Sequence, residues 1–205
     1  MAAKNAINII LEFKGSNLKL KLNKLKSSIV KGQPYPDLSD IYNSALEIKK
    51  LSAQIDEIVH ATGIIQCLPK ILKKGEKVTD LSLASGADGE GIDLVTNMRI
   101  AEFKFARWQE GKGNGMRKRQ VFADLVNLYL HPTTNSKELY VFNAKQIKKF
   151  FGSNKAKWKN VLSKSGGLDN TLEQHLSSKK IRGQFLNDVY SISNVTIYDL
   201  DDILK

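Results

Sequence analysis

Residues 86–105, GADGEGIDLVTNMRIAEFKF, decide the reading of this chain. They form a β-hairpin pattern that carries Asp93 on one arm and Glu102 and Lys104 on the other. Strand side chains alternate between faces, so Glu102 and Lys104, two apart, point the same way. Ala101, Phe103 and Phe105 point the other way, into a core. If Asn97-Met98 is a two-residue turn, Asp93 stands directly across from Glu102. Two carboxylates so placed repel and weaken a hairpin. A divalent cation is the simplest group to offset that repulsion, since hard cations take carboxylate oxygens. Lys104 adds a fixed positive charge beside the pair. Ile100 shares the charged face, so the strand is expected to be central, and charges on a central strand need a reason. Two acids and a lysine on one face suit the cutting of phosphodiesters.

The 205 residues fit one domain, with residues 1–50 as an N-terminal helical region packed on or preceding the core. Hydrophobic residues make up 41%, enough to bury a core. Thirty-two Lys and Arg against 21 Asp and Glu leave a net charge of +11, and the pI is near 9.6. That balance points to a polyanionic partner, nucleic acid ahead of an anionic membrane surface. Cys67 is the sole cysteine, which excludes an internal disulfide and fits a reducing cytoplasm. His60, His131 and His175 show no zinc-ligand spacing. The apolar run from Ala6 to Leu11 is too short to span a bilayer and lacks a small-residue cleavage site.

Along the chain, a strand-like or helical start leads into a lysine-rich helix with Leu18, Leu22, Leu25 and Ile29 at helical spacing. Gly32, Pro34 and Pro36 break it. Asp37 is a helix cap for an amphipathic helix to about residue 53, and a further helix is expected from Ser52 to near Cys67. After the hairpin comes a glycine-rich loop, Gly111–Gly115, then a helix from Arg117 to Leu130. Arg117, Gln120 and Asp124 share one face of it; Val121, Leu125 and Leu128 share another. Glu138–Phe142 reads as a strand, followed by a helix bearing Lys145, Lys148 and Lys149. A helix covers roughly 170–180, Val195–Tyr198 is a last short strand, and Asp199–Leu204 is a helical turn or tail. The predicted fold is α/β (α+β): a mixed central sheet of about four strands with helices on both sides.

This order resembles the PD-(D/E)XK nuclease superfamily, with its restriction-endonuclease-like fold. The matching residues are Asp93 in GIDLVT, Glu102 and Lys104 in AEFKF, Glu57 in DEIVHATG, and Gln120 in RKRQVFADL. The match spans about residues 50–145, and Asp93 follows Ile92 where the motif has proline. The resemblance implies a metal-dependent nuclease. Asp93, Glu102 and the Phe103 carbonyl would hold Mg²⁺ or Mn²⁺, Glu57 would complete the set, and Lys104 would orient the attacking water or stabilise the transition state.

The remaining candidates carry both a functional and a plainer reading. Lys112, Arg117, Lys118 and Arg119 flank the glycine loop as a phosphate clamp, or as a solvated loop; Lys148 and Lys149 extend the basic surface. His60, one turn from Glu57, reads as structural ahead of a substrate contact. Asp124 reads as a supporting or surface residue. Trp108 reads as core, and Trp158 as either a base-stacking surface or an anchor for its helix. Asp88 and Glu90 lack a calcium-loop pattern, and GKGNGMRK lacks a P-loop ending. An endonuclease acting on DNA is the expectation, and since double-strand cutting often takes two sites, a homodimer is compatible with it. The alternatives are a non-catalytic nucleic-acid-binding module on the same fold and an RNA-cleaving, toxin-type enzyme, because both nucleic acids present phosphates.

Overall fold

The computed structural model describes residues 3–27, 37–83, 91–107 and 115–205. Ile29, Gly32, Pro34, Pro36, Asp88, Glu90, Trp108, Lys112 and most of the glycine loop lie outside the described residues. The chain divides into two compact units, residues 1–58 and 59–205.

The first unit is helical. It holds α1 (Ala3–Lys14), α2 (Leu18–Ser27) and the first turns of α3 (Ser39–Ile71). Leucine at helical spacing makes α2 a helix, yet Leu18, Leu20 and Leu22 remain exposed. Asp37 caps α3 as expected, accepting the Ser39 amide at 2.8 Å. The two helices expected on either side of residue 52 are one helix. Ser52 turns its hydroxyl onto the Lys49 carbonyl at 3.0 Å, so the polar residue that suggested a boundary is absorbed within the ladder.

The second unit takes the rest of α3 and a five-stranded mixed sheet: β1 (Val78–Leu81), β2 (Leu94–Thr96), β3 (Arg99–Lys104), β4 (Ser136–Val141) and β5 (Val195–Asp199), side by side in that order. β1–β2 and β2–β3 are antiparallel; β3–β4 and β4–β5 are parallel. Between β3 and β4 lies α4 (Gly115–Leu130). Between β4 and β5 come α5 (Ala144–Phe151), α6 (Trp158–Leu162), α7 (Leu168–Ser178) and α8 (Leu186–Ile192). The turn α9 (Leu200–Ile203) closes the chain, capped by Asp199, which accepts the Asp201 amide at 3.0 Å. The sheet has five strands, in line with the mixed sheet of about four that was expected. β1 escapes the sequence because it is short and mostly exposed, and a bulge between Val78 and Asp80 destroys its alternation.

Each face of the sheet has its own core. Ile100, Leu139, Val141 and Ile197 pack under α4 and the helices that follow, through Val121, Leu125, Ile147, Leu162 and Leu186. Leu94, Ala101, Phe103 and Tyr140 pack against Ile64 and Cys67 of α3 and Leu200 of α9. On that second face the register aligns Phe103, Tyr140 and Tyr198 across three strands, and their rings stack at 4.7 and 5.1 Å. Such pairs add about 0.5–1.5 kcal/mol each beyond burial. They fix β3 as the sheet's middle strand, which sets the position of Glu102 and Lys104.

Candidate functional site

The hairpin register carries the site. Leu94 pairs with Ala101 and Val95 with Ile100, so Asn97-Met98 is the two-residue turn and the next position outward sets Asp93 against Glu102. Glu102 is 3% exposed and Asp93 9%. Asp93 Oδ2 accepts the Phe103 amide at 2.7 Å. A strand residue presents its N–H and C=O on the same edge, so the Phe103 carbonyl also faces the Asp93 side. Asp93 Oδ1 lies 3.1 Å from His60 Nε2.

Lys104 Nζ lies between two carboxylates, 3.4 Å from Glu102 Oε2 and 3.3 Å from Asp124 Oδ2. The contact with Asp124 is an ion pair without hydrogen-bond alignment, which leaves Oδ2 short of a donor. Two buried or half-buried carboxylates thus flank one ammonium, and the charge of Asp93 also acts on it. Burial pushes the Glu102 carboxyl far above the usual range, and the charges of Asp124 and Asp93 add to it. Burial also raises Asp124, against the pull of Lys104. For Lys104, burial alone would lower the pKa; the charges of Asp124, Glu102 and Asp93 more than offset it, and the ammonium stays protonated. Excess negative charge held in low dielectric is the condition that a bound cation relieves.

Asp93, Glu102 and the Phe103 carbonyl are the groups here that could hold a hard cation, whose remaining positions water would have to fill. They are not a cage, since among the described residues no three His, Cys, Asp or Glu side chains converge as a metal-holding group. Glu57 lies exposed in the first unit, and within the second unit His60 meets Asp93. His60 also meets Phe105 edge-to-face at 5.9 Å. The sequence favoured a structural role for His60 and a supporting or surface one for Asp124, and both side chains touch the cluster, His60 through Asp93 and Asp124 through Lys104. Their signal was spacing: Asp124 is one helical turn from Gln120, and His60 one turn from Glu57.

Beside Lys104 opens a cavity of about 550 Å³, lined also by Met116, Arg119, Gln120, Asp124 and Lys164. Arg117 borders a smaller pocket with Lys104 and Gln120, and its guanidinium donates to the Arg107 carbonyl at 3.2 Å. Lys118 lies 5.5 Å over the Phe150 ring, and Lys148 and Lys149 are exposed on α5. Trp158 is buried and donates Nε1–H to the Gly183 carbonyl at 3.0 Å, which makes it an anchor and not a stacking surface.

At the opposite end of β3, Arg99 forms a buried network that no motif or spacing announces. Its guanidinium grips both Glu76 oxygens at 2.7 Å and Glu138 Oε2 at 2.7 Å, while Tyr140 donates to the same Glu138 oxygen at 2.6 Å. This network anchors the strand that carries Glu102 and Lys104. Among the described residues no helix is long and apolar enough to cross a membrane. Compared with protein-family models, curated proteins and solved structures, the chain matches none.

Proposed function

We propose that this chain is a divalent-cation-dependent nuclease of the PD-(D/E)XK kind that hydrolyses phosphodiester bonds of DNA, with internal cleavage favoured over end-digestion. The observation that supports it best is the cluster of Asp93, Glu102, Lys104 and Asp124 at the end of the central strand, beside an open cavity. Asp93, Glu102 and the Phe103 carbonyl are the groups that would hold Mg²⁺ or Mn²⁺. Such an ion supplies Lewis-acid neutralisation of phosphate charge and a water of lowered pKa.

The chain's own residues then divide the work. His60 and the Phe103 amide fix the Asp93 carboxylate in place. Lys104, held charged between Glu102 and Asp124, faces the cavity and stabilises negative charge as it builds on the phosphate oxygens. Gln120 and Arg119 line the same cavity and are placed to orient the strand. In the reaction water oxygen bonds to phosphorus, the bond to the leaving oxygen breaks, and that oxygen takes a proton. The single cysteine is compatible with a cytoplasmic setting.

The test is incubation with plasmid, linear duplex, single-stranded DNA and RNA, in Mg²⁺, Mn²⁺ or EDTA. Cleavage of DNA that needs the metal and disappears in Glu102→Ala supports the reading. Cleavage indifferent to EDTA removes the metal chemistry, and preferential cutting of RNA moves the substrate. One observation favours a second reading, a non-catalytic nucleic-acid-binding module: both Asp93 oxygens already have protein donors. Tight binding with no cleavage in any metal would select it.

A further inference from the structure

The cavity beside Lys104 has a far wall that the motif does not account for. It is built by the loop between α6 and α7. Ser165 donates its amide to the Leu162 carbonyl at 2.8 Å, and Leu168 donates to the Ser165 carbonyl at 3.1 Å. Gly166 and Gly167 take φ of 59° and 88°, the left-handed region that side chains disfavour. Both flanking helices are pinned in the core, α6 by Trp158 and Leu162, α7 by Leu172 and Leu176. The loop therefore presents Lys164 to the cavity from a fixed base.

Arg119 on α4 lines the same cavity. Among the described residues neither Arg119 nor Lys164 has an ion-pair partner. Some cations of this unit are engaged: Arg107 with Asp201 at 2.9 Å, Lys159 with Glu173 at 2.8 Å, and Lys137 with two carbonyls at the end of α4. Others, such as Lys148 and Lys149 on α5, are exposed without an ion pair among the described residues, and it is the shared cavity that sets Arg119 and Lys164 apart. Asp124, the cavity's one acid, is held by Lys104. Two uncommitted cations that line one open cavity with Lys104 attract an anion, and a cavity of about 550 Å³ has room for more than one phosphate.

We propose that Lys164 and Arg119 clamp a phosphate neighbouring the one that Lys104 addresses, so that the cavity is the channel for a polynucleotide strand. This rests on the nuclease reading for the role of Lys104. The ligand class is a strand carrying successive phosphates, in contrast to an isolated nucleotide or phosphate ion.

The experiment measures binding of a fluorescein-labelled DNA duplex in EDTA, where no cleavage occurs, across a salt series. Wild type is compared with Lys164→Ala, Lys164→Arg, Arg119→Ala and, as a control, Lys159→Ala. The clamp predicts weaker binding and a salt slope shallower by about 1 for each Ala variant, with Lys164→Arg near wild type and Lys159→Ala unchanged. Excess inorganic phosphate or a mononucleotide should compete poorly. Equal affinity and slope in Lys164→Ala, loss of equal size in Lys159→Ala, or competition by phosphate as effective as by DNA would each overturn it. Cleavage in Mg²⁺, measured in parallel, separates the two readings. A protein that cuts DNA but binds it unchanged in Lys164→Ala loses the clamp alone. One that never cuts, yet loses binding in Lys164→Ala, keeps the clamp and loses the nuclease.

Discussion

Glu102 illustrates what this site costs the fold. A carboxylate buried against Asp93 and Asp124 is more stable neutral than charged in the absence of a cation. Replacing it with Gln keeps the shape and removes the cost of taking up a proton on folding. Glu102→Gln should therefore raise the metal-free thermal midpoint at neutral pH, by about 2–4 °C for each kcal/mol relieved, while abolishing cleavage. Differential scanning calorimetry in EDTA reads the first effect; an unchanged or lower midpoint would mean that the three carboxylates do not strain one another. Arg99 and Glu76 are the opposite case. Burial alone would raise the Glu76 carboxyl, but hydrogen bonds from Arg99, the Lys73 amide and Thr96 hold it at about 2. A depressed carboxyl stabilises the fold above its unfolded pKa, about 4.3, and that contribution fades as pH falls toward 2. Glu76→Gln should be less stable than wild type at pH 7, with the difference closing below about pH 4. A difference independent of pH, seen in thermal melts, would contradict the assignment. Asp93, Glu102 and Lys104 were legible in the sequence because alternation along a strand forces their faces. The Arg99 network was not, because its members are 23 and 39 residues apart and only the fold brings them together.

The elements explain why other parts of the site were hidden. The hairpin declared itself through a two-residue turn and an apolar face, and its register followed. The α3 contribution depends on a close approach that a pattern of apolar residues does not reveal. A Cβ on Gly63 would lie 2.4 Å from the Phe105 ring. That ring is confined by Phe103, stacked at 6.0 Å, and by Phe142 and His60 on its edges. Gly63→Ala should force α3 away from the strand and draw His60 off Asp93. The expected loss is about 1–3 kcal/mol in chemical denaturation, with cleavage reduced further than stability alone explains. Full activity in a destabilised Gly63→Ala would show that the His60 contact does not serve the site. The strand β1 and the single long α3 were misjudged for related reasons. A bulge erased alternation in one, and a serine that bonds back to its own helix imitated a boundary in the other.

For the molecule as a whole, the mixed sheet with helices on both faces follows from the order of apolar segments, and the sequence predicted it, with about four strands for the five present. The net charge of +11 governs encounter and not fold. Binding of duplex DNA in EDTA should weaken log-linearly with salt. Even two phosphate contacts give about a tenfold loss between 50 and 200 mM. A salt-independent affinity, measured by fluorescence anisotropy, would remove nucleic acid as the polyanion. What the chemistry adds to that attraction depends on Lys104 at the end of β3. The decisive measurement is the single-turnover rate of DNA cleavage in Mg²⁺ by wild type and by Lys104→Ala. The account predicts a metal-dependent wild-type rate that falls about 10²–10³-fold in the variant, with duplex binding retained. Equal rates in the two proteins, or no cleavage by wild type in any divalent metal, would contradict it.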